Sequence, residues 1–235
     1  AFTLPEKSPS AQSRKSQSMN NLIVFGAAGR TGRHVVDQAV EAGYNVSAFC
    51  YSLPPSGTFK QPTKVQVKLG NAYSSADVAN ALKGNDAVVN IIAPKLFDKH
   101  NYPISEIATK NIIHAMKSQG IRRYIGQAGA WATEQLEDAN PFMRIGFRMP
   151  LPLKHIYYYK KIEDTIVKKS GLDWTLVRCG LLTNSKQPHD YRIFTTTYRC
   201  KFFEFPTIRR RNVAQFDIRI LKDPAYFQTC PIILE

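Results

Sequence analysis

The chain has 235 residues, 43% hydrophobic, 11% aromatic and 21% charged, which suits one large domain with a sizeable core and is too short for two ordinary domains. Thirteen glycines, and no run approaching about eighteen uninterrupted apolar residues, exclude a collagen-like or wholly disordered chain and a helical membrane span. The formal net charge of +14 leaves polyanion binding, an anionic membrane surface or a basic enzyme as partner classes.

Location narrows the charge argument. Residues 141–211 hold fifteen Lys/Arg against five Asp/Glu, so ten of the fourteen excess charges lie there. They are scattered through expected helices and strands with no nucleic-acid-binding module, which argues against nucleic acid and leaves an acidic protein partner open. Cys50, Cys179, Cys200 and Cys230 lie far apart without paired ligand spacing. That pattern argues against a zinc site or disulfide framework and points to a reducing, cytoplasmic setting.

In chain order, residues 1–18 form a Ser/Gln/Pro/Lys run with little apolar periodicity, read as a disordered leader or added segment ahead of Met19. Residues 19–235 are read as one domain. Residues 22–25 predict a short buried strand, and 31–42 a helix with Val35, Val36, Ala39 and Val40 on one stripe and Gly43 as its stop. Strands follow at 46–51 and 65–69, separated by a Pro/Ser/Gly loop. A helix at 75–83, a strand at 87–92, a helix at 104–119 and a strand from 123 to 127 continue the alternation. Residues 131–153 loosen into a loop or lid carrying Trp131, Phe142, Met143 and Phe147, which suit a pocket wall or core equally. A helix at 154–170 leads into a strand at 174–178. Residues 191–198 and 201–205 read as a hairpin, 212–221 as a helix and 228–234 as a last strand. The alternation predicts an α/β fold with a doubly wound, mostly parallel sheet, helices on both faces and a small C-terminal elaboration on the substrate side.

The strongest chemical signal is Gly26-Ala27-Ala28-Gly29-Arg30-Thr31-Gly32, which joins the first strand to the first helix. One glycine permits the tight turn, one a close backbone approach to a pyrophosphate, and one helix–strand packing. The helix N-terminus offers free N–H groups to phosphate. In a chain that keeps alternating, this is a dinucleotide site, with a merely tight turn as the alternative. At the end of the second strand, Phe49-Cys50-Tyr51-Ser52 lacks the carboxylate that would hold an unphosphorylated ribose. Arg30 can supply positive charge and Ser52 a hydroxyl, so NADP is favoured and NAD remains open. Arg209-Arg210-Arg211 is either a solvated run or an anion contact. His34, His100, His114, His155 and His189 fall in different elements without metal-ligand spacing, so no metal is expected.

The glycine loop, together with Val-Val-Asp-Gln-Ala-Val-Glu-Ala-Gly-Tyr-Asn-Val at 35–46, Ser-Ala-Asp-Val at 75–78, Asn-Asp-Ala-Val-Val at 85–89 and Lys-Ser-Gly-Leu-Asp-Trp-Thr-Leu-Val-Arg at 169–178, resembles the atypical short-chain dehydrogenase/reductases of the NmrA-like, NAD(P)H-binding group. Within that group the likeness is to the biliverdin-IXβ reductase, or flavin reductase, branch. The resemblance implies a Rossmann domain, with the nicotinamide beside Ala93 and Pro94 and the adenine near Asn71 and Ala72. Asn71 stands where such proteins have Asp, Tyr51 where an Arg would lie near a 2′-phosphate, Gly129 where a catalytic Ser would be, and Leu181 where a His would be. The dehydrogenase pair Tyr-x-x-x-Lys is matched by Tyr157 and Lys161, one helical turn apart; an aromatic, basic packing helix is the competing reading. The implied activity is hydride transfer from NADPH to a planar acceptor such as a flavin, quinone or tetrapyrrole. The alternative is an NADPH-binding redox sensor or accessory subunit without turnover.

Overall fold

A computed structural model describes residues 19–95, 98–129, 151–184, 190–195 and 206–235. Within them the chain forms β1 (Asn21–Phe25), α1 (Gly32–Glu41), β2 (Asn45–Cys50), β3 (Val65–Leu69), α2 (Ser75–Leu82), β4 (Ala87–Asn90), α3 (Ile104–Ser118) and β5 (Arg123–Gly129). Then come α4 (Leu151–Lys168), β6 (Asp173–Cys179), β7 (Leu181–Thr183), β8 (Arg192–Phe194), β9 (Thr207–Arg209), α5 (Arg210–Arg219) and β10 (Ile232–Leu234). The main sheet runs β3-β2-β1-β4-β5-β6-β10-β8, parallel except for β8 on β10. This is the doubly wound order, with its reversal point between β1 and β4.

Two apolar layers sandwich the sheet, because its central strands carry apolar side chains on both faces. Val24, Val35, Val36, Val213 and Phe216 pack under α1 and α5; Ile23, Val88, Ile112, Met116 and Leu176 pack under α2, α3 and α4. The helix boundaries have local causes. Ser74 Oγ accepts from the Asp77 N–H and caps α2, while Gly43 ends the turn after α1 with φ +87°. Phe25 pairs with Asn90 in the β1–β4 register, so the two strands end level and the loops after them face each other. That places a crevice at the carboxyl ends of the sheet.

Three sequence expectations change. Arg192–Phe194 pairs antiparallel with β10, a partner the sequence pattern did not offer; the expected second hairpin arm, 201–205, lies outside the described residues. β10 is fully buried and needs an outer neighbour, which β8 supplies. β7 and β9 form a separate two-stranded parallel sheet that the apolar pattern did not announce, each strand being three residues long. The expected lid, 131–153, lies outside the described residues up to residue 150, and α4 begins at Leu151.

Candidate functional site

The cleft has a volume of about 1280 Å³ and opens at the β1–β4 reversal point. One wall is the glycine loop. Gly26 adopts φ +76°, and a Cβ there would come within 3.1 Å of the Ile91 backbone. A Cβ on Gly32 would lie 2.1 Å from the Gly26 carbonyl oxygen, so α1 can approach β1 this closely only with glycine at that place. Gly29 N–H donates to Gly26 O at 3.0 Å and closes the turn. The N–H groups of Arg30, Thr31 and Gly32 have no partner among the described residues, and Thr31 makes no side-chain cap on α1. With no acidic residue in the first turn of α1, these amides form a positive cradle that fits a diphosphate.

Of the residues expected at the rest of the cofactor site, Ala28, Gly29, Tyr51, Asn71, Ala72, Ala93 and Pro94 line the cleft; Ser52 is exposed and does not. Tyr51 is 82% exposed, a free ring at the mouth beyond β2. Asn71 Oδ1 accepts from the Tyr73 N–H at 3.0 Å, and Asn71 N–H donates to Asp77 Oδ2 at 2.8 Å. The asparagine therefore shapes the β3–α2 turn, with one lone-pair direction of its oxygen left over.

The floor of the cleft is fastened at Ile92. Its N–H donates to Asn90 Oδ1 at 3.1 Å, while Asn90 Nδ2 donates to the Tyr124 hydroxyl at 3.0 Å and to Thr109 Oγ1 at 3.2 Å. Its carbonyl accepts from Lys160 Nζ at 3.3 Å. Lys160 also donates to Gln127 O at 3.1 Å and to Glu163 Oε2 at 2.7 Å. A lysine has three donors, and all three are taken by the protein. Burial pushes the Glu163 carboxyl above its ordinary range, against the opposing pull of Lys160.

The sequence reading paired Tyr157 with Lys161. In the structure Lys160 lines the cleft, while Lys161 is exposed and is not among the lining residues; the side chain of Tyr157 lies outside the described residues. Four residues before Lys160 stands Ile156, not tyrosine, so the lysine that reaches the cleft has no phenol at the dehydrogenase spacing. Adjacent lysines on a helix differ by about 100° in direction, and only burial decides which one faces inward. The Lys160–Glu163 pair, three residues apart on an otherwise half-apolar helix, was the signal available in the sequence.

Behind the floor, Gln127 Nε2 donates to Asp217 Oδ2, and the buried Asp217 Oδ1 has no partner among the described residues. Burial pushes the Asp217 carboxyl up to about 8, with Gln127 and then Arg123 opposing. Arg123, fully buried, caps the C-terminal end of α5 through the Ile220 and Leu221 carbonyls at 2.9 and 2.8 Å. Cys179, beside the cleft, has its thiol pushed well up by burial and by Asp217, so it stays protonated. Leu181 and Leu182, 50% and 39% exposed, form an apolar lip of the cleft, and Gly129 presents no hydroxyl at the end of β5. Sequence reasoning missed Lys160, Gln127 and Arg210 as cleft residues. The three cysteines among the described residues are free thiols, and no metal-ligating cluster and no helix long and apolar enough to cross a membrane occur there.

Comparison with known proteins agrees with this geometry. A mouse protein, sterol-4-alpha-carboxylate 3-dehydrogenase, decarboxylating, is 26% identical over 170 residues, 71% of this chain but 44% of its own length. The chain therefore spans less than half of that relative. Among solved structures, a short-chain dehydrogenase/reductase from Veillonella parvula in complex with NADP shares 17% identity over 92% of this chain and 94% of its own, with a TM-score of 0.70. ChuY, an anaerobillin reductase from Escherichia coli O157:H7, shares 18% identity over 92% of this chain and 97% of its own, with a TM-score of 0.72. At such identities the structures speak for the fold. The sequence profile of the NAD(P)H-binding family matches residues 26–224, from the first glycine of the phosphate loop to the turn after α5, and the chain belongs to that family.

Proposed function

We propose that the protein is an NAD(P)H-dependent oxidoreductase that passes hydride to a planar, conjugated acceptor of the flavin, quinone or tetrapyrrole type, with NADPH preferred over NADH. The observation that carries this reading is the saturation of Lys160. With its three donors on Ile92 O, Gln127 O and Glu163, it holds the floor rigid and has no N–H to spare for a ribose or a phenol. Gly129 and Leu181 add no proton donor.

A bound NAD(P)H supplies the hydride; the chain supplies placement. Reduction of a simple ketone needs a proton delivered to the forming alkoxide, and among the described residues Lys160, Gly129 and Leu181 do not supply it. A conjugated acceptor spreads the incoming charge and takes its proton from water. The cleft volume, about 1280 Å³, exceeds the roughly 300–1000 Å³ of pockets for one small ligand, which suits a coenzyme and an acceptor side by side. The exposed apolar lip of Leu181 and Leu182 suits a flat ring system. For the coenzyme, the absence of a carboxylate after β2 and the presence of Arg30 favour the 2′-phosphate.

The test is to mix the purified protein with NADPH or NADH and a panel of flavins, quinones, linear tetrapyrroles and simple ketones, following nicotinamide absorbance. Turnover with planar acceptors but not ketones is expected. Tight coenzyme binding without turnover on any acceptor would instead support a sensor or accessory role, which Gly129 and Leu181 also favour. Failure to bind either coenzyme would end both readings.

A further inference from the structure

We propose that Arg210, at the start of α5, contacts the diphosphate of the coenzyme, so that the phosphate site is built from both ends of the chain. This inference rests on the coenzyme reading above. Arg210 is separated from the glycine loop by about 180 residues of sequence, yet both line the same cleft. It is 8% exposed. Its Nη1 donates to Asn184 Oδ1 at 2.6 Å, and its other N–H groups have no partner among the described residues. Asn184 is neutral, so the guanidinium charge is not compensated there.

The surroundings make that charge costly in the absence of an anion. Arg209, Arg210 and Arg211 crowd the N-terminal end of α5, with no acidic residue in its first turn, against the positive end of the helix dipole. Burial, and then the charges of Arg30 in the loop and Arg33 in the first turn of α1, push the Arg210 pKa down. The neighbouring Arg209 shows what compensation looks like. Glu235 accepts from the Arg209 N–H at 2.9 Å and from Nη1 at 2.6 Å, and takes the Asn212 amide at 2.9 Å. Glu235 thus neutralises one arginine and leaves Arg210 beside the cleft.

Helices α1 and α5 pack against each other here, and Gln38 Nε2, in the second half of α1, donates to Arg211 O at the start of α5 at 3.0 Å. The open amides of Arg30, Thr31 and Gly32 and the open side of the Arg210 guanidinium border one space. A diphosphate, with two charges and oxygens in several directions, satisfies both sets at once. A single carboxylate on an acceptor would meet Arg210 alone.

The experiment measures affinity for NADPH, NADH and ADP-ribose in wild type, Arg210→Gln, Arg210→Lys and Arg211→Gln by calorimetry. The diphosphate is common to all three ligands. Loss of a charge-assisted hydrogen bond weakens binding by about tenfold to a hundredfold. Arg210→Gln should show that loss equally for all three ligands, Arg210→Lys an intermediate loss, and Arg211→Gln, which removes a nearby exposed charge, a change within about twofold. A loss confined to NADPH would assign Arg210 to the 2′-phosphate and overturn the proposal. Unchanged affinities, or an equal loss in Arg211→Gln, would overturn it too. If Arg210→Gln does not fold, the Arg210→Lys and Arg211→Gln comparison decides in the same way. Wild-type protein that binds none of the three ligands would refute the coenzyme reading itself, a result distinct from any of these.

Discussion

Asp217→Asn removes one titratable carboxyl from behind the cleft floor while keeping its shape and an oxygen to accept from Gln127. Asp217 is fully buried, and its carboxyl rises from the ordinary 3.8 to about 8. A raised carboxyl means that the folded protein holds a proton the unfolded chain gives up. The stabilisation tied to that proton is complete below about pH 4 and is lost as pH climbs through about 8. At about 1.4 kcal/mol per pH unit, the ceiling on this loss is about 6 kcal/mol. Relaxation and water entry on ionisation reduce it, so about 2–4 kcal/mol is the expected size. Urea unfolding of wild type and Asp217→Asn at half-unit steps from pH 5 to pH 9 measures it directly. The variant should gain on wild type from about pH 5 to about pH 8 and the difference should level off above it, and coenzyme affinity of the wild type should fall over the same range if Gln127 is held less firmly once Asp217 ionises. A constant difference across the window, or one that narrows toward alkaline pH, would refute the burial argument.

Three further outcomes are expected. Gly32→Ala should cost at least about 3 kcal/mol, because its Cβ would meet backbone oxygen at 2.1 Å; a native melting temperature would contradict the close helix–strand approach. Lys160→Met strands the buried Glu163 carboxylate and should cost about 3–5 kcal/mol at neutral pH, less in acid where Glu163 takes up a proton, while Lys161→Met should stay within about 0.5 kcal/mol in the same chemical denaturation series. Tyr157→Phe should leave flavin reduction within about threefold, and a loss of about a hundredfold or more in steady-state assays would assign the tyrosine as the proton donor for that reaction.

Periodicity and punctuation made most of the main sheet legible before any coordinates. Residues 22–25 and 87–89 are apolar without interruption because parallel central strands are covered on both sides, and the glycine stops at Gly43, Gly120 and Gly171 all carry positive φ. The phosphate loop was equally visible, since a backbone site depends on glycine spacing, which is local. The short strands β7 and β9 were not, because three residues carry no period and their pairing joins segments about 25 residues apart.

Which lysine enters the cleft, and which arginine reaches the phosphate wall, were matters for the packed chain. Lys160 and Lys161 are equal as letters; they separate only once α4 lies against α3 and β6 and one of them finds Ile92 O, Gln127 O and Glu163 in reach. Arg209, Arg210 and Arg211 likewise diverge only when Glu235 arrives from the C-terminus to take the first of them. Local sequence determines backbone conformation through sterics and hydrogen bonding that act within a few residues. The direction and charge state of a polar side chain are set by burial and by partners distant in the chain, and those exist only after the sheet has closed around them.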